Sequence, residues 1–207
     1  MVRATALVIV MLAAAPAAAD QPTGKMTKEE WAASTMTAEQ AAARVKFNGF
    51  GDLDPVLWIS TEPFLEYRNQ GDKFWRAMVD KETGKVTYQV YLKSRSTNPL
   101  RLSKLTYAIN GKLRSVPLER ISFDVNCHRY GCTHYEDFIG EFPKEDLESL
   151  SVGADSNDIA VKMKVFGDTV SGIDTEFFRN EIAGLLIVAA QRRRQFYGEP
   201  VDQAPSQ

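Results

Sequence analysis

The sequence predicts an α+β protein: an antiparallel β-sandwich or strongly curved sheet of about seven strands, with short N-terminal helices and a C-terminal helix packed on the sheet. Three observations lead to this fold class. Several segments alternate apolar and polar residues, which is typical of half-buried strands. Their connections are too short for the crossover helices of a parallel sheet. The last long apolar segment instead has helical spacing.

The clearest targeting signal lies at the N-terminus. Arg3 gives the N-terminus a positive charge, residues 6–15 are apolar and uncharged, and an Ala-x-Ala sequence ends at Ala19. The apolar run is about half the roughly 20 residues that a membrane-spanning helix needs. We therefore expect a secretory signal peptide over residues 1–19, cleaved before Asp20, and a periplasmic mature protein without a transmembrane anchor.

A polar leader with short helices is expected over residues 20–54. Two capping boxes, Thr-x-x-Glu from Thr27 and Thr-x-x-Gln from Thr37, predict helices near 28–34 and 38–47.

A single β-rich domain with the C-terminal helix is expected over residues 55–198, and a flexible tail over 199–207. Alternation or short apolar runs predict strands in these segments: 56–60, 63–68, 73–80, 86–93, 105–109, 121–127, 132–142 and 159–165. Asn110-Gly111 predicts a tight type I′ turn, because both positions tolerate positive φ. Asp174 is expected to cap the final helix, in which Phe178, Ile182 and Leu185 follow at helical spacing.

Every cysteine and histidine of the chain lies between Cys127 and His134. Cys127 ends one alternating strand and Cys132 begins the next. A four-residue hairpin loop over 128–131 would place the two cysteines opposite one another, with Cβ atoms about 4.5–5.5 Å apart. In an oxidising compartment this arrangement predicts a structural disulfide between Cys127 and Cys132.

Three other interpretations of the cluster remain open at this stage. Cys127, Cys132 and His134 could bind zinc or copper, although their spacing matches no standard metal motif. A redox-active disulfide is a second alternative, although such sites typically place Cys-x-x-Cys at a helix start. Covalent haem attachment needs Cys-x-x-Cys-His, which is absent.

His134 and Glu136 form a candidate polar site beside the cysteines. If Cys132 faces inward, strand alternation places both side chains on the same face. A carboxylate that faces a core is costly unless it is paired. Glu136 is therefore expected either to pair with a basic residue of a neighbouring strand or to be turned outward by a bulge.

The composition limits the function further. The chain has 207 residues, of which 44% are hydrophobic and 25% charged, and its formal net charge is −2. This balance does not favour nucleic acid as a partner, and no motif calls for a cofactor. The leading hypothesis is a non-catalytic binding or interaction module of the cell envelope, with another envelope protein as its partner. The alternative is a metal-dependent or thiol-based enzyme centred on Cys127, Cys132 and His134.

Overall fold

The computed structural model describes four stretches of the chain: residues 28–48, 54–67, 73–153 and 159–197. The predicted signal peptide, its cleavage site between Ala19 and Asp20, and the C-terminal tail lie outside them. None of the helices in the described stretches combines the length and the hydropathy that crossing a bilayer requires.

The described residues form ten strands, four α-helices and a 3-10 helix. The α-helices are α1 (Lys28–Ser34), α2 (Ala38–Ala42), α3 (Lys144–Ser151) and α4 (Arg179–Tyr197), and the 3-10 helix is Glu62–Tyr67. The strands are β1 (Lys46–Asn48), β2 (Val56–Ser60), β3 (Lys73–Asp80), β4 (Val86–Ser96), β5 (Leu102–Ile109), β6 (Lys112–Pro117), β7 (Glu119–His128), β8 (Gly131–Phe142), β9 (Ala160–Gly167) and β10 (Val170–Phe178).

The strands form two antiparallel sheets. Sheet A has the order β1-β2-β3-β4-β8-β7, and sheet B has the order β10-β9-β5-β6. One hydrophobic cluster includes Trp75 and Phe138 of sheet A together with Leu105 and Met163 of sheet B. Because burial of apolar surface between facing layers is the main stabilising contribution in such folds, the two sheets form a sandwich. The predicted α+β class is confirmed.

Two tight connections follow the sequence closely. Asn110 and Gly111 both have positive φ, 51° and 74°, and they join β5 to β6 as the Asn-Gly prediction required. Pro143 precedes the first residue of α3, where its missing N–H costs the helix nothing.

The strand predicted over 63–68 is wrong for its described residues, because residues 63–67 belong to the 3-10 helix. The Ser60 hydroxyl accepts a hydrogen bond from the Glu62 N–H, and the Phe64 N–H donates to the Thr61 carbonyl. Pro63 has no N–H to give to a strand ladder. Local side-chain bonding and the proline therefore favour a helical turn over continued pairing.

The start of the C-terminal helix is also corrected. Asp174 does not cap it, because β10 continues to Phe178 and the helix begins at Arg179. Thr175 and Phe177 are buried, and Asp174 pairs with Lys164 of β9 in the strand register. Burial of alternate side chains against sheet A outweighs the local capping preference of the aspartate.

The N-terminal helices dock on α4. The side-chain amide of Asn180 donates hydrogen bonds to the carbonyl oxygens of Ala33 and Met36. At Gly184 a Cβ atom would lie only 2.8 Å from the backbone nitrogen of Ala42. The glycine therefore lets the backbones of α2 and α4 approach more closely than any larger residue would allow.

We predict that Gly184→Val will displace α2 from α4. The added side chain must overlap backbone atoms of α2, and overpacking of this kind costs about 1–3 kcal/mol. Hydrogen exchange should show faster exchange in α2 while the strands of the sandwich keep their protection. Ala190→Val, at an exposed position of the same helix, is the control. Equal exchange of α2 in both variants would contradict the prediction.

Candidate functional site

The disulfide predicted from the hairpin is present. Cys127 of β7 pairs directly with Cys132 of β8, their Cα atoms are 4.0 Å apart, and their sulfur atoms are bonded. The hairpin loop is shorter than expected, because His128 and Gly131 also pair and only Arg129 and Tyr130 form the turn. A loop shortened by one residue on each side leaves the same two cysteines opposite one another, so the shorter loop preserves the pairing.

The cysteine pair also reveals which backbone groups of β7 are free. Antiparallel strands alternate between hydrogen-bonded pairs, with Cα atoms about 5.5 Å apart, and non-hydrogen-bonded pairs at about 4.5 Å. The 4.0 Å separation assigns the cysteines to a non-hydrogen-bonded pair. Because the register is regular from Ser122 to His128, Phe123 and Val125 occupy the same kind of position. The N–H and C=O groups of Phe123, Val125 and Cys127 therefore point away from β8.

β7 is an edge strand with an exposed apolar face. It forms one edge of sheet A, and all ten of its residues are exposed. Ile121, Phe123 and Val125 remain 44%, 47% and 37% exposed. Large apolar side chains grouped on a free strand edge are characteristic of surfaces that pair with another chain.

One backbone donor on the free edge is capped within the strand. The Asp124 carboxylate accepts a hydrogen bond of 2.8 Å from the N–H of Val125. A charged residue that occupies an edge donor discourages indiscriminate strand pairing. The outward donors of Phe123 and Cys127 lie on either side of this cap.

The inner face of the hairpin continues the core-facing side of sheet A. Val125 pairs with His134, and Phe123 pairs with Glu136. The rings of Phe123 and His134 stack with centroids 5.9 Å apart, and the guanidinium of Arg120 lies 4.8 Å from the Phe123 ring centre. Packing on one side therefore orients the exposed phenylalanine ring.

Glu136 is completely buried and is satisfied by two donors. Its carboxylate accepts a hydrogen bond of 2.6 Å from the Leu100 N–H and one of 3.1 Å from the guanidinium of Arg120. Arg120 belongs to the neighbouring strand β7, and its side chain is half-exposed. The ion pair thus anchors the edge strand and the loop before β5 to one buried charge.

His134 and His128 have different surroundings. The Nδ1 atom of His134 is buried and has no hydrogen-bond partner among the described residues, whereas His128 is exposed beside the turn. The structure thus places His134 and Glu136 on one face, as the candidate polar site requires.

The alternative enzyme centre is not supported. Both cysteines are bonded to each other, so neither offers a thiolate to a metal or a substrate. In the described part of the chain, no three His, Cys, Asp or Glu side chains are grouped so that they could hold a metal ion. The proposed set of Cys127, Cys132 and His134 therefore fails as a metal site.

The opposite face of the sheet supports the base of the hairpin. The Tyr91 hydroxyl of β4 donates a hydrogen bond of 2.8 Å to the Asp137 carboxylate of β8. The pKa of Tyr91 is raised to about 12, mainly by burial and secondly by this hydrogen bond. The phenol therefore stays protonated at alkaline pH values where a free tyrosine would ionise, and its hydrogen bond joins the two strands.

Sequence reasoning missed three residues that complete this end of the sandwich. Arg120 neutralises Glu136, Lys73 is buried at the start of β3, and the Oγ atom of Ser94 is buried without a partner in the described stretches. Strand parity could have placed each side chain on a face. Only the pairing of distant strands shows that they lie at the same end of the sheet.

Comparisons of the chain with models of known protein families, with curated proteins and with solved structures found no match.

We predict that removing the disulfide will destabilise the hairpin more than the sandwich. The bond closes a loop of about six residues, for which the loop-entropy relation gives about 2 kcal/mol. The Cys127→Ser/Cys132→Ser variant should show faster amide exchange in β7 and in the adjoining half of β8. Uniformly faster exchange throughout the core would contradict this local role. The Asn126→Ala/Thr133→Ala pair, which lies next to the cysteines on the same two strands, controls for side-chain loss without a cross-link.

Proposed function

We propose that this protein is a non-catalytic interaction module, exported to the periplasm, that binds an extended segment of another envelope protein along β7. The single observation that carries the proposal is the free edge of β7, with its outward backbone groups and its exposed apolar face. Strand addition uses both features, because main-chain hydrogen bonds supply affinity and alternate side chains supply specificity.

The other edge strands are less suited to this role. β1 has three residues, and β6 has six, carries Lys112 and Arg114, and ends at Pro117. Short strands, charges and prolines are the features that block pairing at sheet edges. β10 is regular only over the six residues from Ile173 to Phe178, and the exposed carboxylates of Asp174 and Glu176 lie along this run. β7 offers a regular run from Ser122 to His128.

The disulfide supports both parts of the proposal. A bond between Cys127 and Cys132 persists in an oxidising compartment, in agreement with the secretory signal expected over residues 1–19. It also holds the hairpin in its paired conformation before binding. A strand ordered in advance loses less conformational entropy when a partner adds to it.

The preferred partner segment follows from the surface of β7. It should be extended and carry apolar side chains at alternate positions, so that they cover Ile121, Phe123 and Val125. Its backbone must supply acceptors and donors to Phe123 and Cys127. The Asp124 cap has to be released for full pairing, which selects against weakly complementary strands.

A photoreactive amino acid at Asn126, on the face of β7 opposite Phe123, tests the proposal in living cells. Irradiation should link this position to one extended segment of another envelope protein, located by mass spectrometry of the cross-linked peptides. Phe123→Lys should abolish the product and Asp124→Ala should increase it. A photoreactive residue at Lys112 is the matched control, because it lies on the edge strand β6, whose charges and proline block pairing.

Several results would overturn the proposal. These are a product that survives Phe123→Lys, an equal product from Lys112, and a link only between two copies of this chain. Export is measured separately, since the intact mass of the purified protein should correspond to a chain that begins at Asp20. A chain that retains residues 1–19 in the cytosol would contradict the periplasmic part.

A further inference from the structure

The face of β7 opposite Phe123 is acidic. Five exposed residues of the strand lie on this face, which is the outer face of sheet A: Glu119, Ser122, Asp124, Asn126 and His128. Two of them are acidic, and none is lysine or arginine. The arginine of the strand, Arg120, lies on the inner face and is bonded to Glu136. The outer face of the edge strand therefore carries negative charge.

Asp124 places its carboxylate at the free edge itself. Its Oδ1 atom accepts a hydrogen bond of 2.8 Å from the Val125 N–H, which points away from β8. The carboxylate thus occupies the place where a carbonyl group of an added strand would accept the same hydrogen bond. A strand that pairs with Val125 displaces the carboxylate from this donor but leaves it beside the strand's own side chains.

The residue of an added strand that faces Asp124 would approach it closely. Because the backbone groups of Val125 point outward, an antiparallel partner would form a hydrogen-bonded pair there. Asp124 would then occupy a non-hydrogen-bonded pair, in which Cα atoms are only about 4.5 Å apart. Opposite charges in such cross-strand pairs are favourable, and like charges are unfavourable. The released carboxylate therefore favours a cation on the added strand.

Basic residues of the sheet do not already neutralise this carboxylate. Asp124 takes part in none of the ion pairs found among the described residues. In the strand register Tyr135 lies between Asp124 and Arg95, and the Arg95 guanidinium is 5.9 Å from the centre of the Tyr135 ring. Arg95 is two strands from β7, about 9–10 Å away. Arg129 lies in the turn, with its guanidinium 5.8 Å from the Tyr130 ring centre.

We propose that β7 receives a segment that alternates apolar and basic residues, with the apolar ones against Phe123 and Val125 and a basic one beside Asp124. This inference rests on the proposed strand addition and specifies the side chains that the edge selects. The same charges disfavour a second copy of this chain as the partner. Pairing of two β7 strands centred on Val125 would make their Asp124 residues diagonal neighbours.

Three synthetic peptides test the charge preference on the full, disulfide-bonded protein. They share valines at alternate positions and one hydrophilic tail, and they carry lysine, threonine or glutamate between the valines. Fluorescence anisotropy should rank their affinities in that order, with about tenfold between the first and the last. The preference should shrink at high salt, because the charges are exposed. Hydrogen exchange of the complex should show protection of the Phe123 and Cys127 N–H groups.

The variant Asp124→Asn separates the charge from the cap. The asparagine oxygen can still accept from the Val125 N–H, so the lysine peptide should lose about threefold in affinity and the threonine peptide should bind as before. Asp124→Ala removes the cap as well, so it should strengthen the threonine peptide. Asn126→Asp adds a charge to the same face and should strengthen the lysine peptide. Asp174→Asn, which removes an exposed carboxylate from the edge strand β10, is the matched control and should change neither peptide.

Two outcomes would overturn the inference, and they differ in what else they contradict. Equal affinities of the lysine and threonine peptides would refute the charge preference alone and leave strand addition at β7 in place. Absence of binding by all three peptides, or protection of a strand other than β7, would refute the inference together with the proposed function.

Discussion

Replacement of Arg120 by methionine is expected to lower the free energy of unfolding by about 3–5 kcal/mol. Glu136 has no exposed surface, and Arg120 is its charged partner in the described structure, at 3.1 Å. Methionine keeps much of the aliphatic volume of the arginine stem but leaves the carboxylate without its counter-charge. The loss is measured by chemical denaturation at neutral pH, with the slope of the transition checked for unchanged two-state behaviour.

A surface ion pair provides the matched control for this prediction. Lys144 and Glu148 are 2.7 Å apart on α3, and both side chains are about half-exposed. Lys144→Met should cost about 0.5 kcal/mol or less, because solvent screens this pair. The double variant Arg120→Met/Glu136→Met should recover part of the loss, since it removes the buried charge as well. Similar losses in Arg120→Met and Lys144→Met would refute the assignment of Glu136 as a paired buried charge.

The second large effect is expected at Trp75, which joins the two sheets. Its ring is fully buried, and its centroid lies 4.8 Å from the ring centres of both Phe142 in sheet A and Phe177 in sheet B. Trp75→Ala should cost about 3–5 kcal/mol, because it leaves a large cavity at this contact. Thermal and chemical unfolding should both report the loss.

Two further substitutions separate the contribution of packing from that of the indole N–H. The Nε1 atom of Trp75 is buried and without a hydrogen-bond partner in the described ranges. Trp75→Phe removes this unsatisfied donor while keeping an aromatic ring, so it should cost clearly less than the alanine variant. Trp58→Ala, at a half-buried position beside Arg76, should also cost less. A smaller loss for Trp75→Ala than for Trp58→Ala would disprove the central role of Trp75.

The disulfide could be predicted because its evidence is local. Cys127 and Cys132 are close in sequence, and alternation places both on one face of paired strands. An error in the loop did not matter, since a symmetric change in loop length preserves the opposition of the two residues. The Asn110-Gly111 turn is similar, because the preference for positive φ belongs to those two residues themselves.

The surroundings of the candidate site could not be predicted in the same way. Glu136 meets Arg120 only because a register irregularity between Arg120 and Ser122 shifts the pairing of β7 with β8. Lys73 and Thr175 are far apart in the sequence and meet only because sheet B packs on sheet A. Strand parity predicts the face on which a side chain lies but not which distant strand comes to cover it.

The sequence by itself determined the fold class, the alternating strands and the pairing of Cys127 with Cys132, because these follow from preferences of residues close together in the chain. Tertiary structure decided that residues 170–178 form a strand, that α2 packs at Gly184, and that a lysine is buried between the sheets. Each of these outcomes depends on surface buried against a distant segment. The free energy of such burial exceeds the local propensities that pointed elsewhere, and it is defined only once both segments are in place.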